Sequence, residues 1–94
     1  MPMKIYSKEY HADADKFLAK QTLKIQKAIR NVIASLPYVS DIVPLKSARG
    51  MYRARKGKVR VLFWREEKID KDKRIDGIIH IVDIEYRGDA YKSR

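Results

Sequence analysis

The spacing of hydrophobic residues changes once along this chain, near Pro44, and that change limits the folds open to it. Before Pro44, apolar residues recur at helical spacing, as in the series Ile25, Ala28, Ile29, Val32, Ile33 and Leu36. After Pro44, apolar and polar residues alternate, which is the period of a half-buried strand. A helical first half and a stranded second half predict an α+β domain, in which a helical hairpin packs on one face of a small, mostly antiparallel sheet.

The first half contains signals for one short strand and two helices. Residues 3–6 predict a first strand, and Ser7 predicts the N-cap of a helix over residues 8–20. Thr22 predicts the N-cap of a second helix, which Pro37 ends. Because the connection between the two helices is very short, they should form an αα-hairpin with a shared apolar face.

The second half contains signals for three strands. Residues 51–55 and 58–64 alternate on either side of a turn at Lys56 and Gly57. Residues 65–76 are polar and charged, and they predict a long, mobile hairpin loop. Residues 77–85 are rich in isoleucine and valine, which is typical of a central strand. The predicted order is therefore β-α-α-β-β-β, in a single domain spanning residues 1–94.

The sequence also lacks the marks of several protein classes. It has no run of about 18 apolar residues, so we expect no membrane span. It begins without an apolar leader segment and contains no cysteine, which is consistent with a cytoplasmic location and excludes disulfides and thiolate metal sites. The two histidines, His11 and His80, are far apart in the sequence. We therefore expect no metal site and no cofactor.

The charge of the chain points to an anionic partner. Twenty-two lysines and arginines against 12 aspartates and glutamates give a net charge of +10. Residues 43–65 include no acidic residue but eight basic ones: Lys46, Arg49, Arg53, Arg55, Lys56, Lys58, Arg60 and Arg65. Such a one-sided patch favours neutralisation of phosphates, so RNA is the polyanion we expect. Charge that serves solubility alone is the alternative.

The two-residue period of the middle strands places part of this charge on one face. Arg53 and Arg55 should point away from the helices, and so should Arg60 and Trp64 on the next strand. Guanidinium groups clamp phosphates in a bidentate fashion, and an aromatic ring beside them can stack on a base. The alternative is that these arginines simply keep an open sheet face soluble and discourage edge pairing.

Two segments resemble the RelE/ParE toxin superfamily, the toxic halves of bacterial toxin–antitoxin modules. Segment 50–63, GMYRARKGKVRVLF, is similar to the family's pattern G-x-Y-R-x-R-x-G-x-x-R followed by an apolar strand. Segment 84–91, IEYRGDAY, is similar to its closing pattern of an apolar strand and R-x-x-x-Y. The resemblance spans essentially the whole chain. It implies a toxin that a small acidic antitoxin holds inactive.

For RelE-like members, the resemblance implies a metal-free endoribonuclease that cuts messenger RNA on the ribosome by attack of the ribose 2′-OH on the adjacent phosphate. Arg53 and Arg55 match positions of basic catalytic residues, Arg60 matches a phosphate-binding arginine, and Arg87 and Tyr91 match the C-terminal pair. Lys46, Arg49, Lys56, Lys58 and Trp64 are the expected RNA-binding residues.

Two questions stay open at the level of sequence. Arginine is a poor proton acceptor at neutral pH, so proton transfer would fall to another group, with His80 and Glu85 as candidates. A structural histidine of the sheet is the more frequent explanation for a residue such as His80, and His11 is expected at the surface. ParE-like members poison DNA gyrase instead of cutting RNA, and the incomplete set of proton-transfer groups keeps that function as the alternative.

Overall fold

The computed structural model describes residues 4–67 and 76–87, which form two helices and five strands. In chain order these are β1 (Tyr6–Tyr10), α1 (Ala12–Ala19), α2 (Leu23–Ala34), β2 (Ile42–Pro44), β3 (Tyr52–Lys56), β4 (Val59–Glu67) and β5 (Gly77–Tyr86). No helix among the described residues is long and apolar enough to cross a membrane.

The strands form one mixed sheet in the order β1-β5-β4-β3-β2. The β1–β5 pair is parallel and the other three pairs are antiparallel, so the predicted α+β class and mostly antiparallel sheet are confirmed. β5 lies inside the sheet, between β1 and β4, as its apolar sequence predicts. The prediction omitted β2, an edge strand of three residues that contains Pro44. Proline is tolerated at a sheet edge, where its missing N–H breaks no ladder.

The predicted start of the first helix is wrong. Residues 6–10 are the parallel strand β1, which pairs with β5 from Tyr6 opposite Gly77 to Tyr10 opposite Ile81. α1 begins only after His11, which occupies the N-cap position without a side-chain hydrogen bond. Ser7 is therefore a strand residue and not a cap. The gain from a paired strand beside β5 outweighs the local helical spacing of residues 8–20.

The remaining helix and turn signals are close to the structure. Thr22 caps α2, and its Oγ1 accepts a hydrogen bond from the Ile25 N–H at 3.3 Å. The β3–β4 turn lies at residues 57–58, one residue later than predicted, with Gly57 at φ +60°. The predicted loop over residues 65–76 is too long, because Arg65 to Glu67 continue β4. Residues 68–75 lie outside the described part of the chain.

The core lies between the two helices and one face of the sheet. The helices contribute Ala14, Leu18, Ile29, Val32 and Ile33, the segment after α2 contributes Leu36, and the sheet contributes Tyr6, Ala54, Val59, Val61, Phe63, Ile79, Ile81 and Ile84, all of them buried. The predicted parity of β3 and β4 is therefore confirmed. A bulge beside Leu62 and Phe63 places Leu62 opposite Asp83 and Phe63 opposite Ile81, so both strands keep their apolar residues on the core side.

Tyr6 joins the end of β4 to the start of β5. Its hydroxyl donates a hydrogen bond to Glu67 Oε2 at 2.9 Å. Burial of the ring, and then this hydrogen bond, raise the pKa of Tyr6, while the same bond is the main cause of the lowered pKa of Glu67. The Arg65 guanidinium lies 6.0 Å from the centre of the Tyr6 ring. These contacts hold the end of the sheet where β1, β4 and β5 meet.

Candidate nucleic-acid interface

Two arginines share a shallow cavity on the face of the sheet that the helices leave open. Arg53 on β3 pairs with Leu62, two residues from Arg60 on β4, so the two arginines are diagonal neighbours. Together with Val61, Leu62, Asp83 and Glu85, they line a cavity of about 60 Å³. Small-molecule sites usually measure about 300–1,000 Å³. The cavity therefore suits a phosphate-sized group on a chain laid across the sheet, not an enclosed small ligand.

The donors of these two arginines are incompletely satisfied. The Nε atoms of Arg53 and Arg60 are buried and have no hydrogen-bond partner among the residues that the structure describes. Asp83 and Glu85 line the same cavity, yet no ion pair joins either arginine to a carboxylate within residues 4–67 and 76–87. A buried donor without a partner costs about 1–3 kcal/mol. An anion placed in this cavity would remove that cost.

Arg55 is held differently from its two neighbours. Its Nε donates to Asp41 Oδ2 at 3.1 Å, and both side chains are about 40% exposed. Arg55 is the Cα partner of Arg60, but it does not line the cavity. Of the three arginines predicted to form one group, Arg53 and Arg60 share the cavity. Arg55 instead bonds to the segment before β2.

A wider groove lies next to the arginine cavity. It measures about 520 Å³, and it is lined by His11, Arg49, Gly50, Met51, Trp64, Arg65 and Val82. The Trp64 ring stacks on His80 with 3.8 Å between ring centres and 6° between the planes. An aromatic ring held rigidly in a groove beside Arg49 provides a stacking surface of the kind that unpaired bases use.

The other predicted site residues that the structure describes lie on connections and at strand ends. Lys46 and Arg49 are exposed on the connection between β2 and β3, and Lys56 and Lys58 are exposed at the β3–β4 turn. The Arg87 N–H donates to the Lys58 carbonyl at 2.7 Å, which fixes the end of β5 beside that turn. Tyr91 lies outside the described residues.

The two proton-transfer candidates lie in different places. Glu85 lines the arginine cavity and is the Cα partner of Arg60. His80 is the Cα partner of Trp64, further along the sheet, and it is 7% exposed. Of the two, only Glu85 is in the cavity of Arg53 and Arg60.

The two histidines, which are far apart in the sequence, are neighbours in the structure. His11 Nε2 is 3.0 Å from His80 Nδ1, and His11 is half-buried and not a free surface residue. His80 Nδ1 is also 3.2 Å from Glu9 Oε1, and its Nε2 is 2.8 Å from Glu66 Oε1. The sequence offered no signal for this cluster, because it depends on the parallel pairing of β1 with β5. That pairing joins residues about seventy positions apart.

Comparison with solved structures finds a similar chain in the RelBE2 toxin–antitoxin complex from Mycobacterium tuberculosis. The TM-score is 0.60 at 22% sequence identity, and the match covers 88% of this chain and 99% of that chain. No protein-family model and no curated protein matches the sequence. At this identity the likeness concerns the fold alone, and it confirms the predicted RelE-like α+β fold.

Proposed function

We propose that this protein is the toxin of a toxin–antitoxin module and that it acts as a ribosome-dependent endoribonuclease on messenger RNA. The observation that carries the proposal is the pair of buried, unpartnered Nε donors of Arg53 and Arg60 in one open cavity. Two neighbouring guanidinium groups without a carboxylate partner are an anion-binding arrangement. The acid-free stretch over residues 43–65 surrounds this cavity with further positive charge.

The proposed reaction is a transesterification. The ribose 2′-oxygen attacks the adjacent phosphorus, the bond from phosphorus to the 5′-oxygen breaks, and the products are a 2′,3′-cyclic phosphate and a 5′-hydroxyl. Negative charge develops on the phosphoryl oxygens in the transition state, and Arg53 and Arg60 would stabilise it. The Glu85 carboxylate, opposite Arg60, would accept the 2′-OH proton, and a water molecule would supply the proton that the departing 5′-oxygen needs.

The groove next to the cavity suits the bases beside the cleaved bond. Trp64 forms part of its lining, already stacked on His80, and Arg49 lies at its rim. If a base stacks on Trp64, the phosphate of the same nucleotide would point toward the cavity of Arg53 and Arg60. Exposed Lys46, Lys56 and Lys58 would contact the surrounding phosphates of messenger and ribosomal RNA.

An antitoxin is the second expected partner. The similar chain was solved within a toxin–antitoxin complex, which supports a protein partner for this fold. The net charge of +10 favours an acidic one, because opposite charges speed association and exclude wrong partners.

Primer extension on messenger RNA from cells that briefly express the protein tests the proposed activity. We expect discrete cuts within translated codons, and we expect Arg60→Ala to lower cutting by at least about 100-fold, as losses of charge-stabilising groups do. Arg30→Ala is the matched control, because Arg30 is an exposed arginine on α2. It should cut like the wild type.

Intact transcripts in cells that still stop growing would contradict the nuclease proposal. A supercoiling assay with purified DNA gyrase would then test the alternative, a toxin that inhibits this enzyme. Full cutting by a folded Arg60→Ala variant would instead leave the nuclease activity in place and remove the arginine cavity as its site.

A further inference from the structure

We propose that Glu9, His11 and His80 form a binding site for a divalent transition-metal ion of the zinc class. The site joins the end of β1, the N-terminus of α1 and the middle of β5. It is separate from the arginine cavity and shares only His11 with the wider groove, and it does not depend on the function proposed above.

The distances fit zinc coordination. His80 Nδ1 lies 3.0 Å from His11 Nε2 and 3.2 Å from Glu9 Oε1, and the three ligand atoms all lie within 4.8 Å of one another. Zinc binds imidazole nitrogen and carboxylate oxygen at about 2.0–2.2 Å, so two ligands at the tetrahedral angle stand about 3.3 Å apart. The two distances from His80 Nδ1 are therefore within a few tenths of an ångström of this value, and the third, between His11 and Glu9, is at most 4.8 Å and can shorten because Glu9 is exposed. Two histidines and one glutamate are also a common ligand set for zinc.

The fourth residue of the cluster holds His80 in the right orientation for a metal. Glu66 Oε1 is 2.8 Å from His80 Nε2, so this nitrogen carries a hydrogen and donates it to the carboxylate. Metal-binding histidines usually donate their second N–H to a carboxylate in this manner. With Nε2 protonated, the neutral ring presents the lone pair of Nδ1 to His11 and Glu9.

This arrangement is incompletely satisfied without a cation. The Nδ1 lone pair can accept a hydrogen bond from His11, but the Glu9 carboxylate 3.2 Å away is a second acceptor facing it. A metal ion bound by both Nδ1 and the Glu9 carboxylate would replace this unfavourable contact between two acceptors. A proton on Nδ1 would also resolve it, by making His80 a cation between two carboxylates. The metal-bound and the protonated arrangement can be distinguished, because only the first depends on added metal.

The surroundings favour a stable site with one open position. The His80 side chain is 9% exposed under the stacked Trp64 ring, whereas the Glu9 side chain is 62% exposed. The His11 N–H donates to the Ile81 carbonyl at 2.9 Å, so the backbone already holds the start of α1 against β5. A bound ion would reinforce that junction, and a water molecule could fill the fourth position from the solvent side.

Titration of the full-length, metal-free protein with Zn²⁺ in a calorimeter is the first test, and Co²⁺ provides a spectroscopic one. We expect a single saturable site, and we expect Co²⁺ to produce tetrahedral absorption bands and to quench Trp64. Trp64 is the single tryptophan of the chain, and it lies 3.8 Å from the His80 ring. At roughly 100-fold excess over Kd, Zn²⁺ should raise Tm by about 10 °C or more.

Variants of single residues distinguish metal binding at this cluster from non-specific binding. His11→Gln should abolish saturable binding, and Glu66→Gln should weaken it by about 10–100-fold, the usual loss for a group that orients a ligand. Asp15→Asn, which removes an exposed carboxylate of α1, should bind like the wild type. Glu9 is a ligand of the proposed site that lines neither the arginine cavity nor the wider groove. Glu9→Gln should therefore weaken metal binding and still cut messenger RNA, so failure of the metal proposal and failure of the nuclease proposal are distinguishable.

Absence of saturable binding by the wild type would overturn the proposal, as would equal affinity of the His11→Gln variant. Nitrogen NMR of the histidine rings tests the competing explanation, in which a proton on His80 Nδ1 takes the place of a metal ion. A doubly protonated His80 at neutral pH that is unchanged by Zn²⁺ would assign the cluster to a charged hydrogen-bond network.

Discussion

Gly77 occupies a position where the fold leaves no room for a side chain. A Cβ atom at this residue would stand 2.5 Å from the Glu66 carbonyl oxygen and 2.7 Å from Cε2 of Tyr6. Both neighbours are fixed, because Tyr6 is buried and hydrogen-bonded to Glu67, and Glu66 is in the β4–β5 ladder. Absence of a side chain at Gly77 therefore allows β1 and β4 to approach the first residue of β5 from both sides.

We expect Gly77→Ala to lower the free energy of unfolding by about 1–3 kcal/mol, the usual cost of overpacking. Urea denaturation followed by far-UV circular dichroism measures it. Gly57→Asn is the control, since Gly57 has open space around it and asparagine tolerates its φ of +60°. Its loss should stay below about 1 kcal/mol. If both variants lower the free energy of unfolding equally, close packing at Gly77 is not the cause of the loss.

Residue-level features of the site differ in how far the sequence predicts them. The alternation of β3 and β4 is enough to put Arg53 and Arg60 on the open face, because strand parity needs no knowledge of partners. It does not reveal that Arg55 bonds to Asp41, since that depends on where β2 lies. The contact between His11 and His80 is hidden for the same reason: it arises from a parallel pairing that the local sequence does not encode.

At the level of elements, the two helices differ in how strongly local sequence determines them. α2 has a capping threonine and five apolar residues of the helical series within its length, and its predicted start coincides with the observed one. α1 begins at Ala12, its N-cap residue His11 makes no side-chain hydrogen bond, and it follows a strand whose sequence also fits a helix. Pairing with β5 determines that residues 6–10 form a strand, so a prediction from local periodicity fails for this segment.

The cap of α2 supports a prediction at this scale. Thr22→Ala removes the oxygen that accepts the Ile25 N–H, so we expect a loss of about 0.5–2 kcal/mol in the free energy of unfolding. Thr22→Ser keeps the acceptor and should lose far less. Thermal and urea unfolding of both variants measure the difference. A stability of Thr22→Ala equal to that of Thr22→Ser would mean that packing on the sheet, and not the cap, fixes the start of α2.

For the whole molecule, the arrangement of charge matters more than its total. Eight of the 22 basic residues lie in the acid-free stretch 43–65, which supplies β3, most of β4 and the connections around them. Others, such as Lys24, Lys27 and Arg30, lie on α2, on the helical side of the sheet. Both sets add to the long-range field, but only groups that touch phosphates release counterions on binding.

The salt dependence of RNA binding separates these two contributions. For single strands, log K falls with log salt with a slope of about −0.7 for each phosphate neutralised. Arg60→Ala and Arg30→Ala each remove one positive charge, so a field effect would change both alike. If Arg60 contacts a phosphate, its variant alone should show a slope shallower by about 0.7. Fluorescence anisotropy of a labelled oligoribonucleotide between about 50 and 200 mM salt measures both slopes. Identical slopes in the two variants would mean that the arginine cavity contacts no phosphate and that the charge of this chain attracts RNA only from a distance.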